Sequence, residues 1–278
     1  MPLELKIDDF TNAQPGKKMK IAMAARGATY RELHFTLNAT TNGTTVMPFT
    51  TLIPEIKLRV DGDVIITIDT AHAKKRQALR GINVASNSFF LEFAEVMRNT
   101  PGEEDLFALG LADRKSFLVE ADILALTGSQ TFDSITGYKV FEPVDTNIGV
   151  HRVNEIFPET GVKVGWNLLR IDSPQGDILG IDFKSDKVDE IRIERGNSTI
   201  YESDLAHVRN RLASRPGWVD TTPDFFPYIP ELSMRRSDRL YTEKDDGTPL
   251  EPLKIWYHTT GAITGNSFDV AVDWYKKS

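Results

Sequence analysis

Glu55–Gly81 reads EIKLRVDGDVIITIDTAHAKKRQALRG, and Glu190–Gly217 reads EIRIERGNSTIYESDLAHVRNRLASRPG. Set one above the other, Glu55 meets Glu190, Ile56 meets Ile191, Ala71 meets Ala206 and His72 meets His207. Arg76 then meets Arg211, and Arg80 meets Arg215. The only adjustment is a one-residue shift of the turn glycine, Gly62 against Gly196. Self-similarity of this length decides an architecture before any single element is assigned. The chain is a tandem of two related domains.

Each copy opens with alternating apolar and polar residues, the period of a half-buried strand, as in Ile56-Lys57-Leu58-Arg59-Val60 and Ile191-Arg192-Ile193. Asp61-Gly62 sits between two such runs. A type I′ hairpin needs positive φ at both central residues, which Asp and Gly tolerate best. The rhythm then changes. Thr70–Arg80 and Asp204–Arg215 are rich in helix formers. Asp69 or Thr70 is available as N-cap for the first helix, and Ser203 or Asp204 for the second, with Pro216-Gly217 as its stop.

Outward from these segments the same order continues. Both copies run into an aromatic pair, Phe89-Phe90 and Phe225-Phe226, and Ser116–Ile123 echoes Ser267–Trp274 as a final strand. Alternation marks further strands at Lys20–Met23, Leu33–Leu37, Val64–Ile68 and Phe268–Val272. The expected fold is therefore all-β, two tandem β-sandwiches, each with a short helix between strands. Residues 1–135 form the N-terminal domain, 136–158 a linker of poor periodicity, and 159–278 the C-terminal domain. The copies differ in their loops. Asn38–Ile53 is a long early loop in the first, and Pro227–Leu253 is an insertion in the second. Insertions between strands belong at the ends of a sandwich, where they are exposed.

Composition narrows the function classes. With 278 residues, 40% hydrophobic and 26% charged, the chain can bury two ordinary cores. It has no cysteine, which removes disulfides, thiolate metal sites and thiol nucleophiles together. MPLELKIDDF carries acids where a secretory signal needs an unbroken apolar core, so export by that route is not expected. The sequons at Asn38, Asn42 and Asn197 carry little weight without one. A net charge of −7 argues against wrapping a genome with the whole surface, because affinity for phosphate depends on Lys and Arg.

The search for chemistry finds framework. There is no GxGxxG, P-loop, HExxH or GxSxG. His34, His72, His151, His207 and His258 never pair at metal-ligand spacing on one element. His72 and His207 recur in the repeat, and packing of each helix on its own sheet accounts for them. The acids Asp61, Asp63, Asp69, Glu243, Asp245 and Asp246 offer a hydrolase its carboxylates only if two face each other across a cleft. Lys244–Thr248 resembles the start of a calcium loop but lacks the alternating ligands and the distal Glu, so no cofactor is expected and no structural calcium is assignable. The basic residues carry two readings. Lys74, Lys75, Arg76 and Arg80, with Arg209, Arg211 and Arg215, lie toward helix C-termini, where each charge stabilises by about 0.3–1 kcal/mol. They are also candidate subunit or membrane contacts, as are Arg235, Arg236 and Arg239 in the insertion.

Gly16–Leu37 leading to Ile56–Ile66, and the closing Leu253–Tyr275, resemble the opening and closing strands of the double jelly-roll major capsid proteins of tailless icosahedral viruses. The likeness is to the corticoviruses, membrane-containing bacteriophages, and more distantly to the tectiviruses. It implies two eight-stranded jelly rolls and three subunits forming a pseudo-hexagonal tile of an icosahedral shell over an internal membrane. The implied partners are the other copies of the homotrimer, neighbouring capsomers, vertex and membrane proteins of the virion and the lipid itself, with no sequence-specific nucleic acid. The implied location is the virion capsid, after assembly in the host cytoplasm. The family has no catalytic motif to carry over, and no enzyme activity is expected. Two other readings stay open beside it: a tandem jelly-roll module binding carbohydrate or a receptor, with Trp218, Trp256 and Trp274 as candidate platforms, and a β-sandwich hydrolase.

Overall fold

Strand alternation in the sequence becomes alternating burial in the computed structural model, which describes residues 2–94, 107–171, 176–221, 224–230, 239–244 and 248–277. The chain divides into two units. One takes residues up to Ala78 with Ile82–His151, the other Leu79–Gly81 with Arg152–Lys277.

In the first unit the strands are β1 (Leu3–Ile7), β2 (Phe10–Thr11), β3 (Lys18–Met23), β4 (Thr29–Thr41), β5 (Thr45–Val46), β6 (Glu55–Val60), β7 (Asp63–Asp69), β8 (Ser88–Glu92), β9 (Leu109–Gly110), β10 (Phe117–Asp122) and β11 (Gln130–Glu142). Helices α1 (Phe49–Leu52) and α2 (Thr70–Leu79) flank β6 and β7. In the second unit they are β12 (Val150–Thr160), β13 (Gly165–Leu169), β14 (Asp177–Phe183), β15 (Val188–Arg195), β16 (Ser198–Asp204), β17 (Phe226–Tyr228), β18 (Leu253–Thr259) and β19 (Ser267–Lys277), with α3 (Leu205–Ser214) after β16.

The second unit packs two four-stranded sheets, β12-β19-β14-β17 and β13-β18-β15-β16. The first repeats that order as β1-β11-β4, with β8 on β4, and as β3-β10-β6-β7. To these it adds the short β2, β5 and β9. Eight strands with this interleaved order make a jelly roll. In β3 the alternation drives Met19, Ile21 and Met23 inward and leaves Lys18 and Lys20 out. Tyr30, Phe35, Phe49, Phe89 and Phe117 build the first core, and Phe183, Phe226, Tyr257 and Trp274 the second. Each such side chain contributes roughly 1.5–3 kcal/mol by leaving water.

The repeat is visible at atomic detail. Asp61 and Gly62 take φ of 52° and 93°, the paired positive values of a type I′ turn. Asp61 Oδ1 also accepts the backbone N–H of Lys115 (2.7 Å) and Ser116 (3.0 Å), tying the hairpin to the start of β10. In the second copy the two-residue turn has positive φ at Gly196 (58°), its first central residue, as a type II′ turn requires. Of the two candidate caps for each helix the aspartates are used. Asp69 Oδ1 accepts from His72 N (3.0 Å), and Asp204 Oδ1 from His207 N (2.7 Å).

Three expectations are corrected. Residues 136–158 are not a linker. β11 runs through them to Glu142 and β12 begins at Val150. The pattern was blurred because β11 breaks register against β4 between Phe132 and Ser134 and again between Val140 and Phe141, and such irregularities shift the inside–outside phase. Gly137 blurs it further, since a Cβ there would lie 3.0 Å from Phe10 and 3.1 Å from the His34 carbonyl. Second, Ser116–Ile123 and Ser267–Trp274 are not equivalent. β10 pairs with β3 and β6, whereas β19 pairs with β14 in the other sheet; the counterpart of β10 is β18. A short alternating run fits any half-buried strand, so its echo carried no topology. Third, Asn38–Ile53 is largely ordered structure: β4 extends to Thr41, an Asn42-Gly43 turn leads to β5, and α1 follows.

Candidate interaction surfaces

The basic helices come first, because they were the sequence's best candidates. Lys74 turns back onto its own unit. Its ammonium donates to the carbonyls of Ala85 (2.8 Å), Ser86 (3.0 Å) and Ser88 (3.0 Å), pinning the segment between α2 and β8. Partial burial holds its pKa below the ordinary lysine value. Lys75 is exposed and Arg76 half-buried on the same helix. Arg80 places its guanidinium 5.8 Å from the Trp218 ring centroid. On α3, Arg209 Nε donates to both carboxylate oxygens of Asp220 (3.0 and 3.2 Å). Arg211 is half-buried, and Arg215 is exposed at the helix end. The repeated histidines part company: His72 is buried and His207 exposed. The two helices therefore share a cap and a fold position but not a charged face.

Arg239 is an internal anchor. Its Nε donates to Asp177 Oδ2 (2.8 Å), and both side chains are nearly buried, at 12% and 10% exposure. The guanidinium sits 4.4 Å from the Tyr241 ring and 4.2 Å from the Tyr275 ring. Asp177 Oδ1 also accepts the Thr242 N–H (2.8 Å), and Leu240 bridges Ile178 in an antiparallel pair. This cluster fastens the middle of the insertion, Arg239–Thr242, to β14. Arg235 and Arg236, and Asp245-Asp246-Gly247 of the calcium-like turn, lie outside the described residues. Among the described residues no three His, Asp or Glu converge as a metal site. Asp61 and Asp69 are engaged as turn and cap groups.

The outward faces of the equivalent sheets differ most. On β3-β10-β6-β7, Glu120 sits at the centre, its carboxylate bound by Arg59 Nε (2.7 Å) and Lys20 Nζ (3.3 Å). The Arg59 hydrogen bond, with Lys20 beside it, holds Glu120 below the usual carboxylate range against the opposing cost of burial. Lys18, Lys57 and Asp122 surround this pair on the same face. On β13-β18-β15-β16 the registers put Trp256 where Glu120 stands, Leu168 where Lys20 stands, and Trp166 where Lys18 stands. Trp166 is 40% exposed. Arg192 lies 4.7 Å over its ring, and His258 meets it edge-on at 5.4 Å. Arg192 also donates to Glu202 (2.7 and 3.1 Å), and Trp256 Nε1 to Glu194 (3.1 Å). His258 Nδ1 and Asp189 Oδ1 lie 2.7 Å apart.

Trp218 and Trp274 are core residues, at 8% and 0% exposure, and provide no platform. Trp166 was missed in the sequence. The signal that finds it is parity: Gly165 to Leu169 alternates so that Leu169 points inward and Trp166 outward.

The comparisons with known proteins agree with this architecture. Residues 4–138 match the family model described as viral coat protein P2 N-terminal domain. No curated protein matches the sequence. Among solved structures, the major capsid protein P2 from bacteriophage PM2 is similar over 100% of this chain and 98% of its own, with a TM-score of 0.81 and 13% identity. The STIV major capsid protein is similar over 99% and 96%, with a TM-score of 0.69 and 7% identity. PBCV-1 VP54 is similar over 99% and 94%, with a TM-score of 0.60 and 11% identity. At such identities the likeness is one of fold, and that fold is the double jelly roll.

Proposed function

We infer that this chain, whose residues 4–138 match the viral coat protein P2 N-terminal domain and whose whole length shares the fold of PM2 P2, is the major capsid protein of an icosahedral virus. The observation that carries the reading is the full-length match: both sandwiches, in tandem and in the same strand order, cover 98% of a major capsid protein. The residues preserved between the copies support it. They are a hairpin turn, a helix-capping aspartate and sheet hydrophobics, all of them framework and none of them reagents. The protein is thus building material, with no enzymatic role.

Its partners are other copies of itself, three forming a pseudo-hexagonal capsomer of six jelly rolls, and then neighbouring capsomers in the shell. Its acidic balance, −7 overall, suits a shell that encloses a lipid vesicle rather than bare genome. Light scattering behind size-exclusion chromatography tests the reading. The expected species is a trimer near 94 kDa, three times the 31.2 kDa chain; a monomer at micromolar concentration rejects it. Negative-stain images of that species should show a hexagonal outline.

A further inference from the structure

An asparagine amide is open to attack by the backbone nitrogen of the next residue, and a glycine there leaves the approach clear because it has no Cβ. The chain has one Asn-Gly pair, Asn42-Gly43, and it forms the turn between β4 and β5. Both residues take positive φ, 54° and 70°. A Cβ built on Gly43 would meet nothing within 4 Å, so its nitrogen stands at an open, exposed tip. The strand that follows is only Thr45–Val46, and both residues are exposed, so little packing resists local opening of the turn.

The oxygen of the same amide is already engaged. Ser129, in the turn before β11, donates its Oγ–H to Asn42 Oδ1, and its carbonyl accepts Asn42 N (3.0 Å). A hydroxyl there draws electron density from Cγ and stabilises the negative charge that Oδ1 gains when Cγ is attacked. We propose that Asn42-Gly43 is a self-modification site, with Ser129 positioned to assist it: a slow charge switch at the tip of the β4–β5 hairpin. The site does not depend on the capsid reading.

In the first step Gly43 N bonds to Asn42 Cγ and gives up its proton. The Cγ–Nδ2 bond breaks, ammonia leaves, and a cyclic imide closes. Water then opens the imide at either carbonyl. One product is an ordinary aspartate, the other an isoaspartate whose main chain runs through the side-chain Cβ. Each adds one negative charge to a net −7, beside the uncharged Thr41, Thr44 and Ser129. The isoaspartyl form lengthens the backbone by one atom and cannot hold a type I′ turn, so it also releases β5.

A second turn of the same kind supplies the contrast. Asp61-Gly62 has φ of 52° and 93°, but Asp61 Oδ1 accepts the N–H groups of Lys115 (2.7 Å) and Ser116 (3.0 Å). The Lys115 N–H, more than the Ser116 N–H and the charge of Arg114, keeps this carboxyl below its usual range. An ionised carboxylate held in this way is a poor electrophile. Two turns of one geometry therefore differ in lifetime through their hydrogen bonds.

Peptide mapping of the intact chain after warm incubation at mildly alkaline pH tests the site. Asn42 should be the first asparagine to convert, with isoaspartate among its products, while Asp61 stays an ordinary aspartate. Hydroxylamine, which intercepts the imide, should cut the chain between residues 42 and 43 and should spare Asn42→Gly, a change that keeps the positive φ. Ser129 is exposed, so Ser129→Ala leaves the fold intact, and it should slow the conversion roughly two- to tenfold, the worth of one solvated hydrogen bond. Ser129→Thr, which keeps the hydroxyl, should convert at the wild-type rate. No conversion at Asn42, or isoaspartate forming at Asp61 as fast as at Asn42, overturns the site. An unchanged or faster rate in Ser129→Ala overturns the role of Ser129.

Discussion

Replacing Arg239 by Met should destabilise the second unit by about 3 kcal/mol. The figure follows from three contacts. The Arg239–Asp177 pair is nearly out of water, at 12% and 10% exposure. Removing one partner of a buried pair typically costs about 3–5 kcal/mol, because the other charge stays behind uncompensated. Two ring contacts, at 4.4 and 4.2 Å, add roughly 0.5–1 kcal/mol each. Against this, Asp177 keeps the Thr242 N–H, and methionine recovers part of the packing, which returns the sum to about 3.

All four tryptophans, Trp166, Trp218, Trp256 and Trp274, lie in the second unit, and Trp274 is fully buried beside Tyr275. Tryptophan fluorescence in a denaturant titration therefore follows this unit alone. Protein concentration must be matched, since assembly adds to apparent stability. Arg239→Lys keeps the charge but loses the planar fork and the stacking, so it should recover only part of the loss. A loss below about 1 kcal/mol for Arg239→Met would refute the assignment of this residue as a structural anchor rather than a surface contact.

Other outcomes follow from the same geometry. Lys74→Met removes three hydrogen bonds to carbonyls and should destabilise the first unit by about 1–3 kcal/mol, seen by far-UV circular dichroism; no change would mean that solvent already serves those carbonyls. Asp69→Ala and Asp204→Ala should each cost about 1 kcal/mol, the first in the first unit and the second in the tryptophan-reported transition. Because Arg59 and then Lys20 hold the Glu120 pKa below its unfolded value of 4.5, Glu120 stabilises the fold above pH 4.5 and ceases to do so as pH falls through its lowered folded value. The stability gap between wild type and Glu120→Gln should therefore be widest near neutrality and close in acid; a gap independent of pH would contradict the ion-pair assignment.

The sequence yields the tandem, the hairpin at Asp61-Gly62 and two candidate caps for each helix, because each rests on local chemistry: positive φ, an orphan N–H, a period of two. It hides β11 because Gly137 and a register shift between Val140 and Phe141 break the period inside the expected linker, with a further shift between Phe132 and Ser134 just before it. It equates β10 with β19 across the two copies because neighbours in a sheet are set by long-range pairing that a short pattern does not encode. The surroundings of the basic residues are illegible for a related reason. Charge is visible in sequence, but the groups that consume it are distant or local in ways only the fold reveals, such as Asp177 for Arg239 and the Ala85–Ser88 carbonyls for Lys74.

In each sandwich the first strand is hydrogen-bonded to the last, β1 to β11 and β12 to β19. In the first unit Leu3 lies opposite Phe141. The chain therefore enters and leaves a jelly roll side by side at one edge, and a copy can be appended without threading a long connection across either sheet. Duplicating such a module is topologically cheap, so a lineage could double it in one event and let the two outward faces diverge. The same adjacency makes each sandwich a natural candidate for circular permutation, with new termini opened in an exposed turn such as Asp61-Gly62.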